Sequence, residues 1–393
     1  MPSRHQIPAM HRAAVLAAIR SDGPLSRAEL ARRLRLRPSS VTEQVRQLMG
    51  EGLIHEVGPG GSNGGRPPVM LDIARAGNYA LGITIEPRGI AGALVQWDGT
   101  IVARAPLQPL DASSSASDLE GAAIAIIDQV LAQTEVPLSR VHGIAVGISA
   151  LVDATANEAI FSSTFSEAGR FRFDRLAEHF GKPVYLEDIA YLMALGERWF
   201  VYPKDPRPLV FLLISSGTCG AVLAPAGAPE LPRFSAEFGH MVLNTSGPIC
   251  GCGKRGCLEA FLSENALLAT ANRLLRAPDQ DPIGLSDVAR LAEGGNPTAK
   301  SIVSTAAEHL GVAVANICSV FAPAQLVLGG SVVEAWGRWL LPEVQTYARE
   351  HLLQFLQDRI EVVPSRLGSD AALVGSAART LDAVFAASHL LPV

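Results

Sequence analysis

Cys250-Gly251-Cys252-Gly253-Lys254-Arg255-Gly256-Cys257 gathers three of the chain's five cysteines into eight residues, and His240 stands ten residues before the first of them. A Cys-x-Cys pair, a glycine-rich turn and a third thiol let three sulfurs converge without strain, and one imidazole completes a tetrahedron. Zinc is the metal that this donor set suits. Four protein ligands, His240, Cys250, Cys252 and Cys257, leave no open position for water, so the expected role is structural. An odd trio of thiols argues against a disulfide framework. Cys219 and Cys318 stand apart and read as buried hydrophobes.

On either side of this knot the chain reads as α/β. Apolar, strand-like runs at residues 79–85, 91–97, 141–148, 184–186, 209–214 and 326–328 alternate with helix-like stretches such as 118–133 and 299–321. Strands entering hairpins from Gly82 and from Gly217 suggest two similar lobes. With 393 residues, 48% of them hydrophobic and 18% charged, the chain has the composition of a globular protein with sizeable cores, which excludes disorder as its main state. Residues 1–10 carry Arg4, His5 and Gln6 and no apolar run of signal-peptide length. No later segment offers about 18 uninterrupted apolar residues, so a cytoplasmic location without membrane contact is expected.

The N-terminal region differs in charge from the rest. Residues 1–66 hold ten arginines, no lysine and five acidic residues, a balance of +5 inside a total of −5. A basic head on an acidic body suits a head that meets a polyanion. Val15, Leu16 and Ile19, then Leu30 and Leu34, then Val41, Val45 and Leu48 follow helical spacing, which predicts three short helices. Ser26 and Glu29 have capping-box spacing for the second, and Pro38 suits the first turn of the third. Residues 53–57 and 69–73 read as strands around the glycine-rich segment 58–66, which makes a wing. The third helix turns Ser39, Thr42, Glu43 and Arg46 outward, with Ser40 near its N-terminus, a set able to enter a major groove. Arg66 on the wing suits the adjacent minor groove or backbone. A winged helix-turn-helix that binds operator DNA is therefore expected, with its boundary near residues 75–77.

Ala236-Glu237-Phe238-Gly239-His240-Met241, followed by the cysteine stretch and Leu258-Glu259, resembles the two linked signatures of the ROK family of sugar kinases and sugar-responsive repressors. Ser26-Arg27-Ala28-Glu29-Leu30-Ala31 and Gly64-Gly65-Arg66-Pro67-Pro68 are similar to the head of its repressor branch. The resemblance implies a two-lobed, actin-like ATPase fold with sugar in the interlobe cleft. It also implies zinc on the same His240, Cys250, Cys252 and Cys257, and sugar hydroxyls at Glu237, His240 and Glu259. A carboxylate can accept from two neighbouring hydroxyls, and a metal-bound imidazole keeps its second nitrogen free. The resulting division is a winged head at 1–75, a first lobe at 76–190 completed by a C-terminal helix at 372–393, and a second lobe with the knot at 191–371.

The kinase chemistry of that family needs backbone N–H groups around a polyphosphate. Here the first turn reads Gly82-Ile83-Thr84-Ile85-Glu86-Pro87-Arg88-Gly89: Thr84 stands where an acid is expected, Glu86 repels phosphate, and Pro87 offers no N–H. The second turn, Ser215-Ser216-Gly217-Thr218-Cys219-Gly220, is also degraded. Glu187-Asp188 stands where the family has Asn-Asp, so Asp188 reads as a vestigial base near a sugar hydroxyl or as a helix cap, with Glu187 beside it in the effector set. The expected function is a transcriptional regulator, a repressor of carbohydrate genes working as a dimer or dimer of dimers and controlled by a sugar or sugar phosphate. An ATP-dependent sugar kinase bearing a DNA-binding head is the alternative, and a regulator acting through partner proteins is a third reading.

Overall fold

The structure, a computed structural model, describes residues 6–61, 67–111, 113–162, 165, 168–203, 207–224 and 236–386. The head runs α1 (Gln6–Asp22), β1 (Leu25–Ser26), α2 (Arg27–Leu34), α3 (Pro38–Gly50), β2 (Ile54–Pro59) and β3 (Val69–Ile73). Its local signals act as expected. Ser26 accepts from the Glu29 N–H while the Glu29 carboxylate accepts from the Ser26 N–H, and Pro38 sits in the first turn of α3. Val15, Leu16, Ile19, Leu30, Val41, Val45 and Leu48 are all fully buried. Not anticipated was β1, two residues that pair antiparallel with β3 and complete a small sheet in the order β1-β3-β2.

The first lobe begins with β4 (Tyr79–Glu86), β5 (Gly89–Gln96), β6 (Ile101–Gln108) and α4 (Ala116–Leu131). It continues through β7 (Val141–Ile148), the small β8 (Leu151–Asp153) and β9 (Glu158–Phe161), α5 (Asp174–Phe180), β10 (Val184–Asp188) and α6 (Ile189–Gly196). The second lobe begins with β11 (Leu209–Ile214) and β12 (Thr218–Leu223), then α7 (Leu258–Leu262), α8 (Glu264–Leu275), α9 (Leu285–Glu293) and α10 (Pro297–Phe321). It ends with β13 (Gln325–Gly329), α11 (Ser331–His351), α12 (Gln354–Gln357) and β14 (Glu361–Pro364), and α13 (Ala371–Ala386) then returns to the first lobe, against α6, β4 and β7.

The two sheets share one plan. In the order β10-β7-β4-β5-β6, β4 and β5 form an antiparallel hairpin while β7 and β10 run parallel to β4. In the order β12-β11-β13-β14, β11 and β12 form the hairpin while β13 and β14 run parallel to β11. The first lobe adds β6 at its edge, a strand the sequence reading left out, as it did β14. Parallel strands buried on both faces need apolar runs, and Leu209–Ile214 is buried at every position. Each final strand is followed by a helix at the junction, α6 after β10 and α13 after β14, and these two pack against each other while α13 also lies on β4 and β7. Among the described residues, α10 is the one helix long and apolar enough to cross a membrane, but 61% of its apolar window is buried inside the second lobe.

No break in packing marks the end of the head. One apolar cluster takes in Leu16, Ile19, Leu30 and Leu48 from the head, Ala80, Val95 and Trp97 from the first lobe, and Leu373, Ala377, Leu381 and Phe385 from α13. Polar contacts reinforce it. The buried Asn78 amide donates to Gly52 O at 2.8 Å and Ala74 O at 2.6 Å, and its oxygen lies 2.7 Å from His142 Nε2. Arg20 on α1 forms an ion pair with Asp382 on α13 at 2.5 Å and lies over the Trp199 ring, 4.5 Å from its centroid.

Candidate functional site

Asp188 ends β10 and caps α6. Its Oδ1 accepts from the N–H groups of Ala190 at 2.8 Å and Tyr191 at 3.3 Å. Burial, reinforced by the carboxylates of Glu237 and Glu187, pushes its pKa up to about 8, against the pull of those two N–H donors. The helix cap is therefore present, and Glu237 of the other lobe is near enough to act on the same carboxyl.

Glu187 does not share that face. Successive side chains of a strand point to opposite sides, so Glu187 joins Tyr185 on the α13 side, where it pairs with Arg379. The pair is only 2% and 10% exposed, and the guanidinium also lies over Tyr185. Its expected place in the effector set is corrected: its carboxylate is committed to holding α13.

The second lobe supplies the other wall. A bridge between Gly220 and Ala236 pins the Glu237 loop to β12, and Phe238–His240 forms one tight turn. Gly239 is required there, because a Cβ would stand 1.9 Å from Thr218 O. Glu237 is half exposed, with Oε2 3.9 Å from His240 Nε2. Burial raises its pKa, His240 opposes the rise and Glu259 adds to it. Glu259 lies in the first turn of α7 and divides its oxygens: Oε2 accepts from Thr218 N–H at 3.0 Å and Oε1 lies 3.7 Å from Cys250 Sγ. Cys219 departs from the expectation of a buried hydrophobe. It is part-exposed, and its thiol pKa is driven well up by burial and by Asp188, Glu237, Glu259 and Glu86 around it. Cys318 is buried as expected.

The donor atoms of His240, Cys250, Cys252 and Cys257 all lie within 4.8 Å of one another. Two sulfurs bound about 2.3 Å from a tetrahedral metal such as zinc stand roughly 3.8 Å apart. Cys252 Sγ and Cys257 Sγ are 3.8 Å apart, as are Cys250 Sγ and His240 Nδ1. The imidazole thus offers Nδ1 to the cluster and leaves Nε2 on the Glu237 side. The loop is shaped to this end: Cys250 N–H donates to Lys254 O, and Gly256, at φ 70°, lets Asn244 O approach to 1.6 Å of where a Cβ would be. Burial pushes the Cys250 thiol up to about 12 and raises Cys257, so thiolates crowded here need a cation beside them. The residues fit a four-coordinate metal.

Across the cleft, the turns that would hold a polyphosphate are tied together. Arg88 in the β4–β5 turn pairs with Glu264 at the start of α8, on the other lobe. Glu264 Oε2 also accepts from Ser331 Oγ at 2.5 Å, Ser331 Oγ lies 3.3 Å from Ser215 Oγ, and the Glu264 N–H donates to Ser215 O at 2.8 Å. The Thr218 N–H is already taken by Glu259. Burial raises the pKa of Glu86, with Arg88 opposing and Glu334 reinforcing.

On the head, Ser39, Thr42 and Arg46 are exposed, and Ser40 and Glu43 partly so. Arg46 forks onto Glu43 at 2.7 and 3.1 Å, Gln47 also donates to Glu43, and Thr42 donates to Pro38 O. Arg66 lies outside the described residues. The sequence reading passed over Arg35 and Arg37, both exposed in the turn between α2 and α3, although the run from Arg32 to Arg37 displays their charge openly.

A helix-turn-helix mounted on two lobes of one strand plan, with a Cys3His cluster beside the cleft, defines the class in which a sugar-kinase-type body carries a nucleic-acid-reading type of head. The chain belongs to the ROK family, whose model matches residues 80–382, while a helix-turn-helix domain model matches residues 9–57. It is 28% identical to the xylose repressor of Bacillus subtilis (strain 168) over 369 residues, 94% of each protein. It is 26% identical to the DNA-binding transcriptional dual regulator NagC of Escherichia coli (strain K12) over 371 residues, 93% of this chain and 90% of that protein. Among solved structures, a ROK family transcriptional regulator described as a homologue of the E. coli MLC protein superposes with TM-score 0.82 at 23% identity, covering 98% of both chains. A ROK family glucokinase from Streptomyces griseus superposes with TM-score 0.66 at 24% identity, covering 76% of this chain and 98% of that one.

Asp188→Asn is expected to raise stability in a pH-dependent way. An Asp with a folded pKa of about 8 and an ordinary value of 3.8 binds its proton more tightly when folded. Stability therefore falls as pH rises from about 4 to about 8 and levels off above. Asn keeps the capping oxygen and does not titrate. Melting temperatures of wild type and variant should nearly coincide at pH 4 and diverge in favour of the variant by pH 8.5; parallel profiles would refute the assignment.

Proposed function

We propose that this chain is a sugar-responsive transcriptional repressor: the head binds operator DNA, and a sugar in the cleft, held by Glu237, His240, Glu259 and Asp188, changes the affinity. The observation that carries the reading is the pairing of an acceptor-rich sugar face with phosphate turns tied together through Arg88, Glu264 and Ser331. Such a cleft can be occupied by a sugar but is badly arranged to spend ATP on it, which supports a regulator over an enzyme. The names of the relatives point the same way. The continuous apolar core from α1 to α13 gives occupancy a mechanical route to the head, since α13 packs on α6 and Asp188 caps α6.

In this reading Ser39, Ser40, Thr42, Glu43, Arg46 and Arg66 face the operator, with Arg46 exchanging Glu43 for phosphate or a base edge. The head comprises residues 1–75 and the lobes 76–190 and 191–371, with α13 completing the first. His240, Cys250, Cys252 and Cys257 hold a structural zinc, which fixes the loop carrying Glu237. A homodimer in the cytoplasm would place two heads on an inverted repeat.

The test is selection of bound duplexes from a random-sequence library with the full-length protein, followed by titration of the selected duplex with and without sugars. An inverted repeat should emerge, Arg46→Ala should weaken its binding, and an effective sugar should shift affinity about 5–150-fold. Sugar-dependent ATP turnover that Asp188→Asn abolishes would instead establish the kinase.

A further inference from the structure

We infer that Glu197 is a positioning residue for the whole molecule: its buried carboxylate ties together the two places where the chain crosses between lobes, and so fixes the angle of the lobes and of the head. The inference stands apart from the sugar-effector reading. The chain leaves the first lobe between α6 and β11 and returns to it between β14 and α13. Glu197 lies at the first crossing. It opens a single π-helical turn, Glu197–Val201, that continues α6, and it is 0% exposed. Such turns are rare and are frequent at functional places in helices. Glu197 Oε1 accepts three hydrogen bonds from the second crossing: Ser365 Oγ at 2.6 Å, the Arg366 N–H at 2.8 Å and the Leu367 N–H at 3.1 Å. Its buried Oε2 has no hydrogen-bond partner among the described residues, and neither has the hydroxyl of Tyr202, whose ring lies beneath the Arg366 guanidinium. An acidic side chain wholly withdrawn from water is costly, and what this one holds in return is the segment that leads into α13.

The rest of the junction is apolar. One cluster joins Ile189, Leu192 and Leu195 of α6 to Leu209 and Phe211 of β11 and Ala221 of β12. Apolar contact is non-directional and tolerates small rotations, whereas hydrogen bonds weaken steeply once donor and acceptor leave line. The Glu197 contacts therefore supply the directional restraint between the crossings. On the first-lobe side, α6 and α13 touch backbone to backbone, since a Cβ on Gly375 would stand 1.9 Å from Leu192 O. Because α13 also shares its core with the head, an angle set at Glu197 is passed on to α1.

Pulsed dipolar spectroscopy on the full-length chain reads the interlobe distance, with spin labels on unnatural residues at the exposed positions Ala125 of α4 and Arg273 of α8 and labelled protein diluted into unlabelled. The wild type should give one narrow distribution, and Glu197→Ala one about 2-fold wider or more. Glu197→Gln keeps an acceptor oxygen for the three donors and should restore the wild-type width. Ser365→Ala removes a single donor and should widen the distribution by less; it replaces Glu197→Ala if that variant does not melt cooperatively. An unchanged width in the alanine variant that folds overturns the inference, as does a Glu197→Gln distribution as wide as that of Glu197→Ala. A second arm uses the operator reading. The wild type should bind a selected duplex about 10-fold more tightly than one whose half-sites are shifted by about 2 base pairs. Glu197→Ala should lose most of that preference and keep its affinity for an isolated half-site. A loss confined to half-site affinity would mark a merely structural residue and overturn the inference. If the wild type selects no duplex, the operator reading fails and the distance measurements still decide this one.

Discussion

Cys257→Ser is expected to abolish metal binding and to release the loop proposed to carry the sugar contacts. Cys257 is fully buried and caps α7, so its thiolate ties the knot directly to the helix that starts with Leu258 and Glu259. Zinc held by four protein ligands contributes on the order of 10 kcal/mol in small metal-folded peptides. The second lobe has a large apolar core of its own, so part of that sum would be lost and the loss should be regional. Elemental analysis should fall from one zinc per chain to none, the loop around Glu237 should become protease-sensitive, and sugar binding should disappear. Gly256→Ala should give the same result without touching a ligand, because its Cβ would collide with Asn244 O at a left-handed φ. A zinc-replete, protease-resistant Cys257→Ser protein would refute the assignment.

Arg379→Met should cost about 3–5 kcal/mol, since removing one partner of a buried ion pair leaves the other's charge in an apolar setting. Met preserves much of the side-chain volume, so the loss reports charge more than packing. Glu187→Gln in the same background should recover part of it, and denaturant titration of the four-member cycle measures the coupling. Additive effects would show that the pair is not coupled. Because Glu187 and Arg379 link β10 to α13, the variant should also weaken the effect of sugar on DNA binding more than it weakens sugar binding itself.

The parts of this molecule legible in its sequence are those encoded over short distances. Ser26 with Glu29, Pro38 and the four clustered metal ligands each act within about one turn or one loop, and local geometry leaves them few alternatives. The α/β pattern followed from strand-like apolar runs and the two-lobe plan from the hairpins at Gly82 and Gly217 together with the family resemblance, whereas β6 (Ile101–Gln108) escaped notice because its exposed edge mixes Arg104 and Pro106 into the pattern. Contacts that only the fold brings together were not legible: Arg88 and Glu264 are 176 residues apart, Arg379 and Glu187 are 192. Glu187 could have been placed correctly. Neighbours in a strand cannot face the same side, so assigning Asp188 to the cleft already sent Glu187 elsewhere.

The shared core of α1, Trp97 and α13 constrains any exchange of parts. A graft of this head onto a foreign body would leave Leu16 and Ile19 without the Leu381 and Phe385 that share their core, and Arg20 without Asp382. Specificity transplants between relatives should therefore succeed when the last helix travels with the first, so that the smallest portable module is discontinuous, made from both ends of the chain.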